Sequence, residues 1–102
     1  MPFYVYILKC ADGSYYTGHT DDLDVRIAAH HQGLIPGYTR KRRPVQFVFA
    51  QDFPDRIDAL ERERQIKRWT RAKKEALIAR DWPRLQHLAR RTSARNRPNR
   101  SS

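Results

Sequence analysis

The chain has 102 residues, 39% of them hydrophobic, which is enough for a single domain with one modest core. Lys and Arg number 21 against 11 Asp and Glu, a formal net charge of +10, and such an excess favours a polyanionic partner whose condensed counterions are released on binding. No apolar run approaches the roughly 20 residues of a membrane span, the amino end MPFYVYIL lacks a basic segment and a small-residue cleavage site, and the lone Cys10 excludes an internal disulfide or a cysteine-based zinc site; a cytoplasmic protein without a membrane partner is expected.

Residues 3–9 (FYVYILK) and 14–19 (SYYTGH) read as strands, being rich in aromatic and β-branched residues. Ala11, Asp12 and Gly13 between them carry a hairpin turn signal. A two-residue Asp-Gly loop would set Tyr6 and Tyr16 on opposite faces, whereas a three-residue loop with a bulge would set them together. The residues alone leave both registers open. Four of the five tyrosines, Tyr4, Tyr6, Tyr15 and Tyr16, fall on this hairpin, and only Tyr38 lies elsewhere.

The next stretch, DDLDVRIAAHHQG, reads as a helix capped by Asp21 or Asp22 and ended by Gly33. Leu23 and Ile27 make an i, i+4 apolar pair, and Arg26 and His30 share one side in the same way. Residues 33–44 form a loop with four consecutive basic residues, Arg40, Lys41, Arg42 and Arg43, followed by a third strand at 45–50. Pro54 and Asp55 open a helix to about Trp69; Thr70 is the N-cap candidate of another, and Trp82-Pro83 restarts a turn or short helix. After Asp81 the chain has no acids and six arginines, and the aperiodic residues 93–102 read as a disordered tail. The expected class is α+β, a small three-stranded mixed sheet of hairpin plus third strand flanked by helices, in the order β-β-α-β-α-α.

One acid is out of place. At about 100° per residue, Ala59, Leu60 and Ile66 define the apolar stripe of the helix at 55–69, and Glu63 falls within it while Glu61 points away. Such an acid is costly unless paired, so it either meets an arginine or is there to act, and periodicity alone ranks the ion pair first.

Taken together, Tyr4-Val5-Tyr6, Tyr16-Thr17-Gly18, Arg26, His30 and Glu63 in the run ALERE resemble the GIY-YIG nuclease family, over residues 3 to about 79. The likeness is to its small stand-alone bacterial members. Tyr4 stands where the first motif has glycine, and no asparagine follows Glu63 until Asn96. The resemblance implies a catalytic domain at 1–80, with a short helical extension at 81–92 and the tail beyond it. It also implies a divalent-metal-dependent endonuclease. Its substrate would be nucleic acid, most readily DNA, its metal ion Mg²⁺ or Mn²⁺, and its favoured state a monomer. Glu63 would hold that ion largely through waters, and Arg26 would fork onto the scissile phosphate. Tyr6 is the first choice of general base, its pKa lowered by metal and arginine, with Tyr16 orienting water and His30 assisting. Gly18, His19, Tyr38, Arg40, Lys41, Arg42, Arg43 and Lys67 are the candidate substrate contacts. The rival is a non-catalytic nucleic-acid-binding module that uses the same basic surface.

Overall fold

Strands β1 (Phe3–Lys9) and β2 (Tyr15–Thr20) form where the aromatic and β-branched residues predict them. The computed structural model, which describes residues 2–95, joins them by the three residues Ala11, Asp12 and Gly13. Cys10 N–H donates to Ser14 O at 2.8 Å and Gly13 N–H to Cys10 O at 2.9 Å. Gly13 takes φ 84°, the left-handed residue that closes such a loop. The Asp12 carboxylate braces it, accepting the Ser14 N–H at 3.0 Å and the Ser14 hydroxyl at 2.6 Å. The loop length decides the register. Leu8 lies opposite Tyr16 and Tyr6 opposite Gly18, so Tyr6 and Tyr16 share a face.

Strand β3 (Gln46–Phe53) pairs with the other side of β1, giving the order β2-β1-β3. Both pairings are antiparallel, where a mixed sheet was expected. The path of the chain explains it. β2 ends beside Tyr4, helix α1 (Leu23–Gln32) follows, and Arg42 O accepts from Ala11 N–H at 2.8 Å, back at the hairpin turn. β3 therefore starts opposite Lys9 and runs against β1.

Asp22 caps α1 by accepting from Val25 N–H at 3.3 Å, and Gly33 ends it at φ 75°. Leu23 and Ile27 bury against Tyr6, Leu8, Cys10 and Val45, with Tyr16 and Ala50 at the margin. This is one face of the sheet. Helix α2 (Arg56–Lys67), N-capped by Asp55, touches all three strands. It reaches His19, which opposes Val5 in the ladder and so lies on the other face. Its buried residues are Ala59, Glu63 and Ile66, and Glu61 is exposed.

The described chain divides into two compact units between Arg68 and Trp69. In the second, Thr70 caps helix α3 (Arg71–Ile78) by accepting from Lys73 N–H at 3.2 Å. Helix α4 (Trp82–Arg95) follows, a full helix where a turn or short helix was expected, and the order becomes β-β-α-β-α-α-α. Asp81 accepts from Arg84 N–H at 3.2 Å to start it, Pro83 sits harmlessly in the first turn, and nothing breaks it before Arg95. Asn96, Arg97 and Arg100 lie outside the described residues. No helix among the described residues is long and apolar enough to cross a membrane.

Candidate functional site

Tyr6 is fully buried in the centre of the sheet, and its ring lies over the backbone of Gly18. A Cβ at Gly18 would come within 2.6 Å of Tyr6 Oη, so the glycine is needed here for space. Tyr6 Oη is 2.7 Å from His30 Nε2, and His30 Nδ1 is 2.8 Å from Thr39 Oγ1. His30 is wholly buried and Thr39 nearly so. Tyr16 packs beside the pair, its ring centroid 6.3 Å from that of Tyr6 and 5.3 Å from that of His30. Three of the residues expected to work together, Tyr6, Tyr16 and His30, are therefore one cluster.

Burial pushes the Tyr6 hydroxyl up to about 12, against the opposing pull of the Arg26 guanidinium as hydrogen-bond donor and as charge. The lowering expected from Arg26 is present, but desolvation outweighs it. Burial, with the charges of Arg26 and His31 adding to it, pushes His30 down to about 4. Both groups are neutral at neutral pH. Both shifts disfavour moving the Tyr6 proton onto His30. In the resting protein this hydrogen bond orients and does not ionise.

Glu63 is buried, and both its oxygens meet basic side chains. His19 Nδ1–H donates to Oε1 at 2.5 Å and Lys67 Nζ to Oε2 at 2.8 Å. Burial works to raise its pKa, but the hydrogen bonds and charges of Lys67 and His19 outweigh it and hold the carboxyl below its usual range. The partner expected for a structural pair was an arginine; the partners found are a histidine and a lysine.

A cleft of about 280 Å³ is lined by Phe3, His19, Thr20, Asp21, Arg26 and Arg56. Arg26 Nε is buried there with no hydrogen-bond partner, a donor in need of an acceptor. The charges of Arg26 and Glu63 both act on Tyr6, which ties the cleft to both clusters. Arg56 carries no local sequence signal; it is the first residue of α2 and adds a second guanidinium to the cleft.

The basic loop divides in two. Arg40 and Lys41 are exposed. Arg42 lies 3.8 Å over the Tyr38 ring and donates to Asp12 Oδ2 at 3.1 Å and to Tyr38 O at 3.0 Å. Arg43 Nε donates to Arg40 O at 3.2 Å, and its guanidinium fills the space where a side chain at Gly33 would start. Tyr38 stacks on Tyr16 with centroids 6.0 Å apart. Arg42 and Arg43 thus brace the loop, while Arg40 and Lys41 stand exposed on it.

Among the described residues no group of three or more His, Cys, Asp or Glu side chains is placed to hold a metal ion. That excludes an all-protein cage from this set, but one carboxylate kept ionised suits a magnesium-type ion, which retains its waters and takes phosphate oxygens. Such an ion would have to compete with His19 or Lys67 for a Glu63 oxygen.

Comparison with known proteins identifies the family. Residues 2–76 match the family model described as the GIY-YIG catalytic domain. A UPF0213 protein of Staphylococcus saprophyticus is 47% identical over 76 residues, covering 74% of this chain and 93% of that protein. One from Bacillus pumilus is 45% identical over 75 residues, 74% of this chain and 76% of its own length. The solution NMR structure of a UPF0213 protein from Bacillus halodurans superposes with a TM-score of 0.52 at 46% identity, covering 78% of this chain and 84% of that one. A solution NMR structure of a protein from E. faecalis gives 0.55 at 37% identity, with the same coverage. By this match over residues 2–76 and by these relatives, the chain belongs to the GIY-YIG catalytic-domain family.

Proposed function

We propose that this protein is a divalent-metal-dependent endonuclease that hydrolyses phosphodiester bonds of DNA, with Mg²⁺ or Mn²⁺ at Glu63. The observation that carries the reading is the cleft itself, lined by Arg26, whose Nε is unpartnered, and by His19, which holds the Glu63 carboxylate, while the Arg26 guanidinium also bears on the buried Tyr6 hydroxyl. Arg26 grips the scissile phosphate and stabilises the charge that develops on it, with Arg56 adding positive potential at the cleft. Tyr6 accepts a hydrogen bond from the attacking water and takes its proton as the Tyr6 hydroxyl proton passes to His30 Nε2, leaving a neutral phenol and an imidazolium, while Tyr16 bounds that water's position. Gly18 leaves room for the Tyr6 ring to take its position. When bound, a divalent ion supplies a Lewis acid and lowers the pKa of a coordinated water. Arg40 and Lys41 lead the nucleic-acid backbone towards the cleft, a screening-sensitive attraction.

The test is purified full-length protein on labelled single- and double-stranded DNA and RNA with Mg²⁺, Mn²⁺ or EDTA. Cleavage of DNA with either metal and none in EDTA is expected. Salt-sensitive binding with no cleavage under any condition would replace this reading with a second one, a non-catalytic nucleic-acid-binding module. The ion pairs of Glu63 with His19 and Lys67 favour that second reading, since they satisfy the carboxylate without a metal.

A further inference from the structure

We propose that Thr39 is a positioning residue for this site: its hydroxyl oxygen accepts the Nδ1–H of His30 and fixes the tautomer whose Nε2 accepts the Tyr6 hydroxyl proton. The proposal rests on the assignment of Tyr6 above. Thr39 stands at the start of the 3₁₀ turn Arg40–Arg42, where a threonine usually caps with its side chain, but no such bond is made. Its hydroxyl lies instead 2.8 Å from His30 Nδ1, with Thr39 1% and His30 0% exposed, so bulk water cannot stand in for it.

Two hydroxyls compete for the one lone pair of a neutral imidazole. The phenol is the more acidic and the stronger donor, so the lone pair goes to Tyr6 and the N–H to Thr39. The choice has a chemical consequence. In this tautomer the Tyr6 hydroxyl proton points inward, and its oxygen can accept from Arg26 and from a water. In the other, Nε2–H occupies the Tyr6 oxygen and the buried phenol proton is turned outward, a donor where an acceptor is needed. A hydroxyl on the basic loop thus decides whether the central tyrosine accepts or donates.

The experiment measures the His30 tautomer directly, by long-range ¹H–¹⁵N correlation on full-length protein labelled with ¹⁵N-histidine. Protonated Nδ1 is expected in the native protein and in Thr39→Ser, and protonated Nε2, or a mixture, in Thr39→Val. In cleavage assays Thr39→Val should lower kcat by about 10- to 100-fold, the usual scale for removing a group that orients a ligating or reacting side chain. KM should stay within about twofold, and Thr39→Ser should restore kcat. Protonated Nε2 in the native protein overturns the proposal, as does an unchanged kcat in Thr39→Val. If the native protein cleaves nothing, the nuclease reading falls and the spectra still decide the role of Thr39. If Thr39→Val does not fold, the native and Thr39→Ser spectra decide it.

Discussion

At Gly18 the motif glycine acts as a socket, since the Tyr6 ring fills the space a side chain would take. Gly18→Ala should therefore displace Tyr6 from His30 and destabilise by roughly 1–3 kcal/mol, the usual cost of overpacking, with cleavage abolished alongside. Urea unfolding read with a cleavage assay checks it; a stable, active Gly18→Ala protein would show that Tyr6 does not need its present position. His30 gives a second residue-level test. Its pKa falls from 6.5 to about 4 on folding, so between those values the unfolded chain binds more protons and stability declines as pH falls. From about pH 7.5 to about pH 5 the loss from this one group is roughly 2 kcal/mol. Urea midpoints at both values should show that decline in the native protein and a smaller one in His30→Gln. Equal declines would mean that His30 is not held neutral.

At the scale of elements, α2 separates two glutamates by helical phase. Glu63 sits with Ala59 and Ile66 on the buried stripe, and Glu61 faces solvent. Glu63→Gln should abolish cleavage while nucleic-acid binding holds, and Glu61→Gln should change stability by no more than about 0.5 kcal/mol. Because the folded pKa of Glu63 is lowered, its contribution is present above the ordinary carboxylate range and is lost as pH falls through the folded value. That window lies below most of the His30 window, so the two can be resolved in one pH series. A destabilised Glu63→Gln protein that still cleaves would remove Glu63 from the chemistry. The same elements show what the sequence discloses. Asp22, Gly33, Asp55 and Thr70 mark helix ends with local chemistry, and each does so here. The tyrosine pair and the i, i+4 step from Arg26 to His30 were likewise legible. Hairpin parity was not, because Asp-Gly serves a two-residue loop as well as a three-residue one. Thr39 and Arg56 were silent for a different reason. A loop hydroxyl and the first residue of a helix have no periodic signature, and their partners are set only by the crossing from β2 through α1 and the basic loop.

For the whole molecule, the family match ends at residue 76, so α4 and the residues after it are additions beyond it. They carry six arginines and no acid. Removing the residues after Arg95, among them Arg97 and Arg100, tests their part in nucleic-acid binding. It should flatten the slope of log affinity against log salt by about 0.7–0.9 for each phosphate that these arginines neutralise. An unchanged slope would mean that the two arginines touch no phosphate. The hairpin bears on inheritance across the whole chain. Because side chains alternate along a strand, the number of residues between Cys10 and Ser14 works as a parity bit for all of β2. A descendant that gains or loses one residue there, without a compensating bulge, hands Tyr16 and Gly18 to the α2 side and His19 to the α1 side. Only changes that keep the number odd, or that add a compensating bulge, preserve the meeting of Tyr6 with Gly18, which passes between generations as arithmetic.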